Sequence, residues 1–199
     1  MNRQHPWYPV VYMFVVTAGF CSILIAFDRS TRNRVRANRA LAFERAVLEV
    51  FDLHEGTSPG PLHDLFVEKI EQEAAHYVYR DNGQIKGYAL PFEGQGFWAT
   101  IKGVIGLAPD RTTITAISFY QQSETPGLGA EIVKPAFRDQ FQGKRIAPND
   151  KAFGLQSPGA AVTEHQVHAI TGATQTCTRL EKIIDQCLTT WRDNTEVTP

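Results

Sequence analysis

Apolar positions fall into three regimes along the chain, each with its own period. Residues 6–27 carry no charge, and Val10 to Phe27 is mostly Val, Phe, Ile, Leu and Ala. A run of that length crosses a bilayer as a helix, with Trp7, Tyr8 and Tyr12 at one interface. A cleaved signal peptide is the rival reading. The run exceeds a usual signal core and Phe27-Asp28-Arg29 is a poor cleavage site, so a retained anchor is preferred. Between 37 and 51, Leu41, Phe43, Val47, Leu48 and Phe51 are interleaved with Arg39, Glu44, Arg45 and Glu49. This predicts a helix that continues or closely follows the span. His54 to Pro61 reads as a break, through Gly56, Ser58, Pro59, Gly60 and Pro61. Leu62 to Ala75 predicts a second helix on Leu65, Phe66, Val67 and Ile70.

The middle is rich in β-branched and aromatic residues. Tyr77–Arg80 and Ile85–Leu90 flank Asp81-Asn82-Gly83, a hairpin signal. Phe97–Leu107 and Thr113–Tyr120 flank Pro109-Asp110-Arg111 and predict a second hairpin. Pro135–Phe141 predicts a short helix and Lys144–Gly159 a loop. From Thr174 onward Cys177, Leu180, Ile183, Ile184, Cys187, Leu188 and Trp191 follow steps of three and four, one apolar stripe on a helix. The expected fold is α+β: an antiparallel sheet with packed helices, preceded by one N-terminal transmembrane helix. The expected division is an anchor at 1–28, juxtamembrane and entry helices at 29–76, and the domain that carries the chemistry at 77–199.

Composition removes alternatives. A net charge of −1 over 199 residues argues against a nucleic-acid partner. Three cysteines are too few for a disulfide framework. Cys177 and Cys187 stand about 15 Å apart by helical rise, beyond bridging distance, and read as small core residues. There is no Gly-x-Ser-x-Gly elbow and no Walker loop. His165 and His168 lack an acidic or cysteine cluster to complete a metal site.

Two short stretches remain as candidate chemistry. Thr171-Gly172-Ala173-Thr174 enters the last helix, with Thr176 just beyond. Hydroxyls and free N–H groups at a helix N-terminus seat a phosphate well, and Gly172 and Ala173 leave room for a ligand to reach the backbone. An ordinary threonine N-cap is the simpler reading of those four residues alone. Upstream lies Glu124-Thr125-Pro126-Gly127-Leu128-Gly129, where Pro126-Gly127 predicts a tight turn presenting backbone groups.

Together these stretches resemble the FMN-binding domain of the Rnf and Nqr respiratory complexes, from about Gly94 to the C-terminal helix. The resemblance implies FMN joined covalently by a phosphoester to Thr174, with Thr171, Gly172, Ala173 and Thr176 around it. It implies that Glu124, Thr125, Leu128 and Gly129 line the flavin. Gly94-Gln95-Gly96-Phe97-Trp98 also matches, and Trp98 is a candidate to pack on the ring or else a core residue. The match departs at His168, where the family usually has Asp. Thr174 would be a modification site served by a separate flavin transferase that uses FAD, with no catalytic residue in this chain.

The implied role is a subunit that relays electrons within an ion-translocating oxidoreductase and is not catalytic alone. Chain length favours the flavin subunit of an Rnf-type complex (ferredoxin to NAD⁺). The Gly-Phe-Trp and Phe-Tyr-Gln-Gln surroundings look more like the corresponding subunit of Nqr, the Na⁺-translocating NADH:quinone reductase, which is the alternative. A reading of another class is a membrane-tethered assembly or sensory module without flavin. Implied partners are the other membrane subunits, the transferase and the bilayer. The implied location is a bacterial inner membrane, single-pass, with the flavin domain outside the cytoplasm. Arg29, Arg32, Arg34, Arg36 and Arg39 follow the span, and the positive-inside bias points the other way.

Overall fold

The computed structural model describes residues 7–53 and 58–196. His54 to Thr57, part of the break expected at 54–61, lie outside the described residues. The chain divides into two units, 1–40 and 41–199. The described residues of the first belong to helix α1, Trp7–Glu49. Nothing in Ala18 to Glu49 breaks a helix except Gly19, which explains why span and following helix are one element. Its window of highest mean hydropathy, 2.4, is wholly unburied.

The second unit is built on a meander of five antiparallel strands: β1 Ile70–Glu73, β2 His76–Asp81, β3 Gln84–Gln95, β4 Thr100–Leu107 and β5 Ile114–Gln121, neighbours in that order. Period-two alternation sends Tyr88, Leu90 and Phe92 of β3 and Ile101, Ile105 and Leu107 of β4 to one face. Ala89 and Val104 go to the other. The first face is covered by helix α4, Thr174–Glu196, through Leu180, Ile184, Leu188 and Trp191. The second is covered by Ala46, Val47 and Leu48 at the end of α1, by Val50 just beyond it and by Leu62 of α2, Pro59–Lys69. Each fully buried Leu or Ile on these faces contributes about 2 kcal/mol. Glu49 fixes the end of α1: it accepts from Ser118 Oγ on β5 (2.5 Å) and pairs with Arg138 (2.6 Å).

Some elements differ from the sequence reading. The helix expected at 62–75 ends at Lys69, and Ile70–Glu73 pairs with β2 instead. Its ladder is reinforced by Arg80, which holds Glu71 and Glu73 at 2.8 Å each. Phe97 to Ala99, expected in a strand, form the β3–β4 turn. Pro135–Arg138 is helix α3, followed by a 3-10 turn to Phe141 as part of the same expected short helix. The region read as loop contains β6, Gly154–Gln156, paired in parallel with β7, Gln166–His168.

Of the two cysteines of α4 read as core residues, Cys177 is buried and Cys187 is half-buried against the core. Burial is the main cause of a raised Cys177 pKa and pushes the Cys187 thiol up to about 12. A thiol held neutral and covered is a poor nucleophile. Iodoacetamide at pH 8 is therefore expected to leave both unmodified in the folded chain and to alkylate both in denaturant. Peptide mass mapping that finds either one alkylated before unfolding contradicts this packing.

Candidate flavin site

Three segments far apart in sequence meet at the start of α4. The organising group is Glu124, a carboxylate only 5% exposed that follows the end of β5. Its Oε2 accepts from the Thr176 hydroxyl at 2.6 Å, and its Oε1 accepts from the Trp98 backbone N–H at 3.1 Å. One side chain thus ties the β3–β4 turn, the 122–129 segment and the first turn of α4 together. Its own N–H donates to the Gln122 side-chain oxygen at 2.6 Å. Buried carboxylates persist where such donors satisfy them.

Two glycines make the tie possible. A Cβ on Gly129 would collide with Thr176 Oγ1 and stand 3.0 Å from Glu124 Oε2. A Cβ on Gly96 would sit 2.5 Å from Glu124 Oε1 and 2.7 Å from the Ala99 carbonyl. Gly129 is a candidate from its motif. Gly96 belongs only to the resembling stretch, and its packing role emerges once the fold brings Glu124 beneath it.

The expected turn at Pro126-Gly127 is present. Leu128 N–H and Ala130 N–H both donate to the Thr125 carbonyl at 3.1 Å, and Gly127 has φ +76°, as a Pro-Gly turn of type II requires. The turn leaves Thr125 and Leu128 exposed. Leu128 leans toward the second motif, since a Cβ on Gly172 would lie 3.1 Å from its Cδ2. Gly172 itself has φ +78°, a conformation that favours glycine.

Trp98 is not a core residue. It is 65% exposed and is held by Nε1 donating to Thr125 Oγ1 at 3.1 Å. Phe97 packs edge-on against it with centroids 4.9 Å apart. The ring is therefore oriented while its surface stays open.

The simple N-cap reading of the threonines does not hold. The residue preceding α4 is Ala173, buried and without a side-chain oxygen, and its carbonyl accepts from Cys177 N–H at 2.9 Å. Thr176 is buried, 4% exposed, and spent on Glu124, whereas Thr171 and Thr174 face solvent. Cys177 has a second task that its place in the apolar stripe does not reveal: its sulfur accepts from Ile170 N–H at 3.3 Å and shapes the turn before α4. His168 lies on β7. Its N–H donates to Gln140 Oε1 at 2.9 Å, while its Nδ1 is buried without a partner among the described residues.

The candidates thus sort into two sets. Glu124, Gly129, Ala173 and Thr176 are buried and hold the segments in place; Trp98, Thr125, Leu128, Thr171, Gly172 and Thr174 are exposed, with Trp98 bonded to Thr125 and Leu128 close to Gly172. A hydroxyl at an uncapped helix start, with an oriented aromatic ring and a leucine nearby, suits a phosphate-bearing planar cofactor. The residues present fit FMN.

Comparison with known proteins agrees. Residues 96–189 match the family model of the FMN-binding domain. The NqrC component of the Na(+)-translocating NADH-quinone reductase of Pasteurella multocida is 40% identical over 103 residues, 51% of this chain and 40% of that protein. The same component from Pseudomonas aeruginosa is 33% identical over 131 residues, 63% of this chain and 49% of that protein. The chain therefore spans under half the length of these relatives. The solved NqrC structure from Parabacteroides distasonis superposes with TM-score 0.67 at 24% identity, covering 82% of this chain and 94% of that one. Shewanella oneidensis NqrC gives 0.65 at 19%, covering 78% and 96%. At such identities the structures establish the α+β fold alone. The relatives are Nqr subunits, which corrects the preference for the Rnf type drawn from chain length. Residues 96–189 thus match the model of the FMN-binding domain, and the chain is similar to NqrC of the Na⁺-translocating NADH-quinone reductase.

Proposed function

We propose that the chain is a membrane-anchored flavoprotein that relays electrons through FMN held covalently on Thr174, within an oxidoreductase of the Nqr type. The observation that supports this most is the buried Glu124–Thr176 tie, which brings the Trp98 turn and the Glu124–Gly129 segment to the first turn of α4, where Thr174 is exposed. FMN supplies one- and two-electron redox chemistry when bound; the chain's own residues position it. Thr174 would carry the phosphoester, and the N–H groups at the start of α4 would face the phosphate. Leu128 and Trp98 would shield the ring, and the Thr125–Leu128 turn would set its edge contacts.

A threonine hydroxyl needs activation to form an ester. Thr174 is exposed, while the carboxylate of Glu124 is buried and already bonded to Thr176 and Trp98. A separate flavin transferase is therefore part of the proposal. The flavin domain is placed on the extracytoplasmic side, with the other membrane subunits as electron partners. The test is in-gel flavin fluorescence of the denatured full chain, produced with and without a flavin transferase. Fluorescence that depends on the transferase supports the reading. A dark band in both samples overturns covalent attachment and leaves a loosely held flavin or a tethered module without flavin.

A further inference from the structure

We propose that the arginine face of α1 just beyond the apolar run is a docking surface for anionic phospholipid headgroups. Asp28 to Ala40 holds five arginines against one aspartate, and that aspartate pairs with Arg32. Because α1 is one continuous helix, the arginine positions are fixed relative to one another. Arg29, Arg32, Arg36 and Arg39 follow steps of three, four and three, so they share one face; Arg34 lies on another. Among the described residues this stretch is exposed along nearly its whole length.

Depth decides which of them reach lipid. If the hydrocarbon core ends near Phe27, Arg29 lies about 3 Å beyond it, Arg32 about 7 Å, Arg36 about 13 Å and Arg39 about 18 Å. The headgroup layer is about 5–8 Å thick on each side. Side chains on a helix lean toward its N-terminus, which here is the direction of the apolar run. Arg29 and Arg32 therefore lie in the layer, Arg36 reaches back to it with its long side chain, and Arg39 falls short.

The same stretch is poorly suited to a protein partner. An interface needs an apolar centre, and between Asp28 and Ala40 the only large apolar side chain is Val35. Guanidinium groups bind phosphate in a bidentate fashion, and basic residues beside a membrane each strengthen attachment to anionic lipid.

This inference rests on α1 spanning the membrane, so the full chain is first tested for resistance to alkaline carbonate extraction. Release from membranes would overturn the spanning reading itself. The solubilised full chain is then titrated with phosphatidylglycerol or phosphatidylcholine and read by native mass spectrometry. Phosphatidylglycerol adducts are expected to dominate, and Arg29/Arg32/Arg36→Gln to weaken them at least about tenfold. Glutamine keeps the helix propensity, so α1 is retained. Arg39→Gln is expected to change them by less than about twofold, because it lies beyond the layer. Equal adducts of both lipids overturn the proposal. A phosphatidylglycerol preference that survives the triple substitution also overturns it and leaves the arginines to an acidic protein surface.

Discussion

Thr174→Ala is expected to yield a chain that folds and melts like the wild type yet carries no covalent flavin. The side chain is exposed at the first position of α4 and makes no hydrogen bond among the described residues. Alanine is also the better helix former. The change in stability is expected within about 0.5 kcal/mol, while flavin attachment falls from full to none. Thr174→Ser keeps a hydroxyl at the same place and is expected to retain some attachment. In-gel fluorescence beside a thermal melt separates the two effects. A variant that loses flavin only because it unfolds would show a lowered melting temperature as well. Retained flavin in Thr174→Ala would move the attachment to another hydroxyl, with Thr171 the exposed neighbour.

The second large effect is structural and centres on Glu124. Glu124→Ala strands the Thr176 hydroxyl and the Trp98 N–H, both of which now bond to its carboxylate. The buried Thr176 hydroxyl left without a partner costs about 1–3 kcal/mol, and the part-buried Trp98 N–H adds less. A total near 3 kcal/mol lowers the melting temperature by about 6–12 °C for a chain of this size. Glu124→Gln keeps one carbonyl acceptor and an amide that can donate to the Thr176 oxygen, so its loss is expected to be smaller. Gly129→Ala attacks the same tie from the other side, because its Cβ would displace Thr176 Oγ1. Thermal melts of the three variants are expected to rank Glu124→Ala and Gly129→Ala well below Glu124→Gln. If all three melt with the wild type, the Glu124 tie is not what holds the segments together.

How much of this is legible in the sequence depends on how local each signal is. α4 is legible because its stripe is strictly periodic, and the Pro126-Gly127 turn because its chemistry is local. β1 is not: Ile-Glu-Gln-Glu favours helix, and only pairing with β2 through a turn with Ala74 at φ +48° makes it a strand. Sequence reading ends this strand at Leu90, whereas β3 runs on through Pro91 to Gln95. Pro91 is tolerated because β2 pairs β3 only as far as Ala89, so beyond that point β3 has β4 alone as a neighbour. The β6–β7 pair is three residues long on each side and parallel, too short for any periodic signal. At the site, the two motifs name the right segments, but the division of labour between buried Thr176 and exposed Thr174 is a tertiary fact. So is the exposure of Trp98, whose type alone favours a core position.

His168 is the point where this chain departs from the motif it otherwise matches. Its backbone is fixed by Gln140, whereas its Nδ1 has no partner among the described residues. The departure lies on β7, before the start of α4, and leaves the proposed attachment hydroxyl of Thr174 in place.

The central claim is that Thr174 carries FMN, and the intact mass of the full chain tests it most directly. The chain is to be produced in a host that contains a flavin transferase. The expected result is a single species heavier than the sequence by one FMN less one water, with the added mass localised to the peptide that contains Thr174. An unmodified mass from that host, or the added mass on a peptide without Thr174, would contradict it.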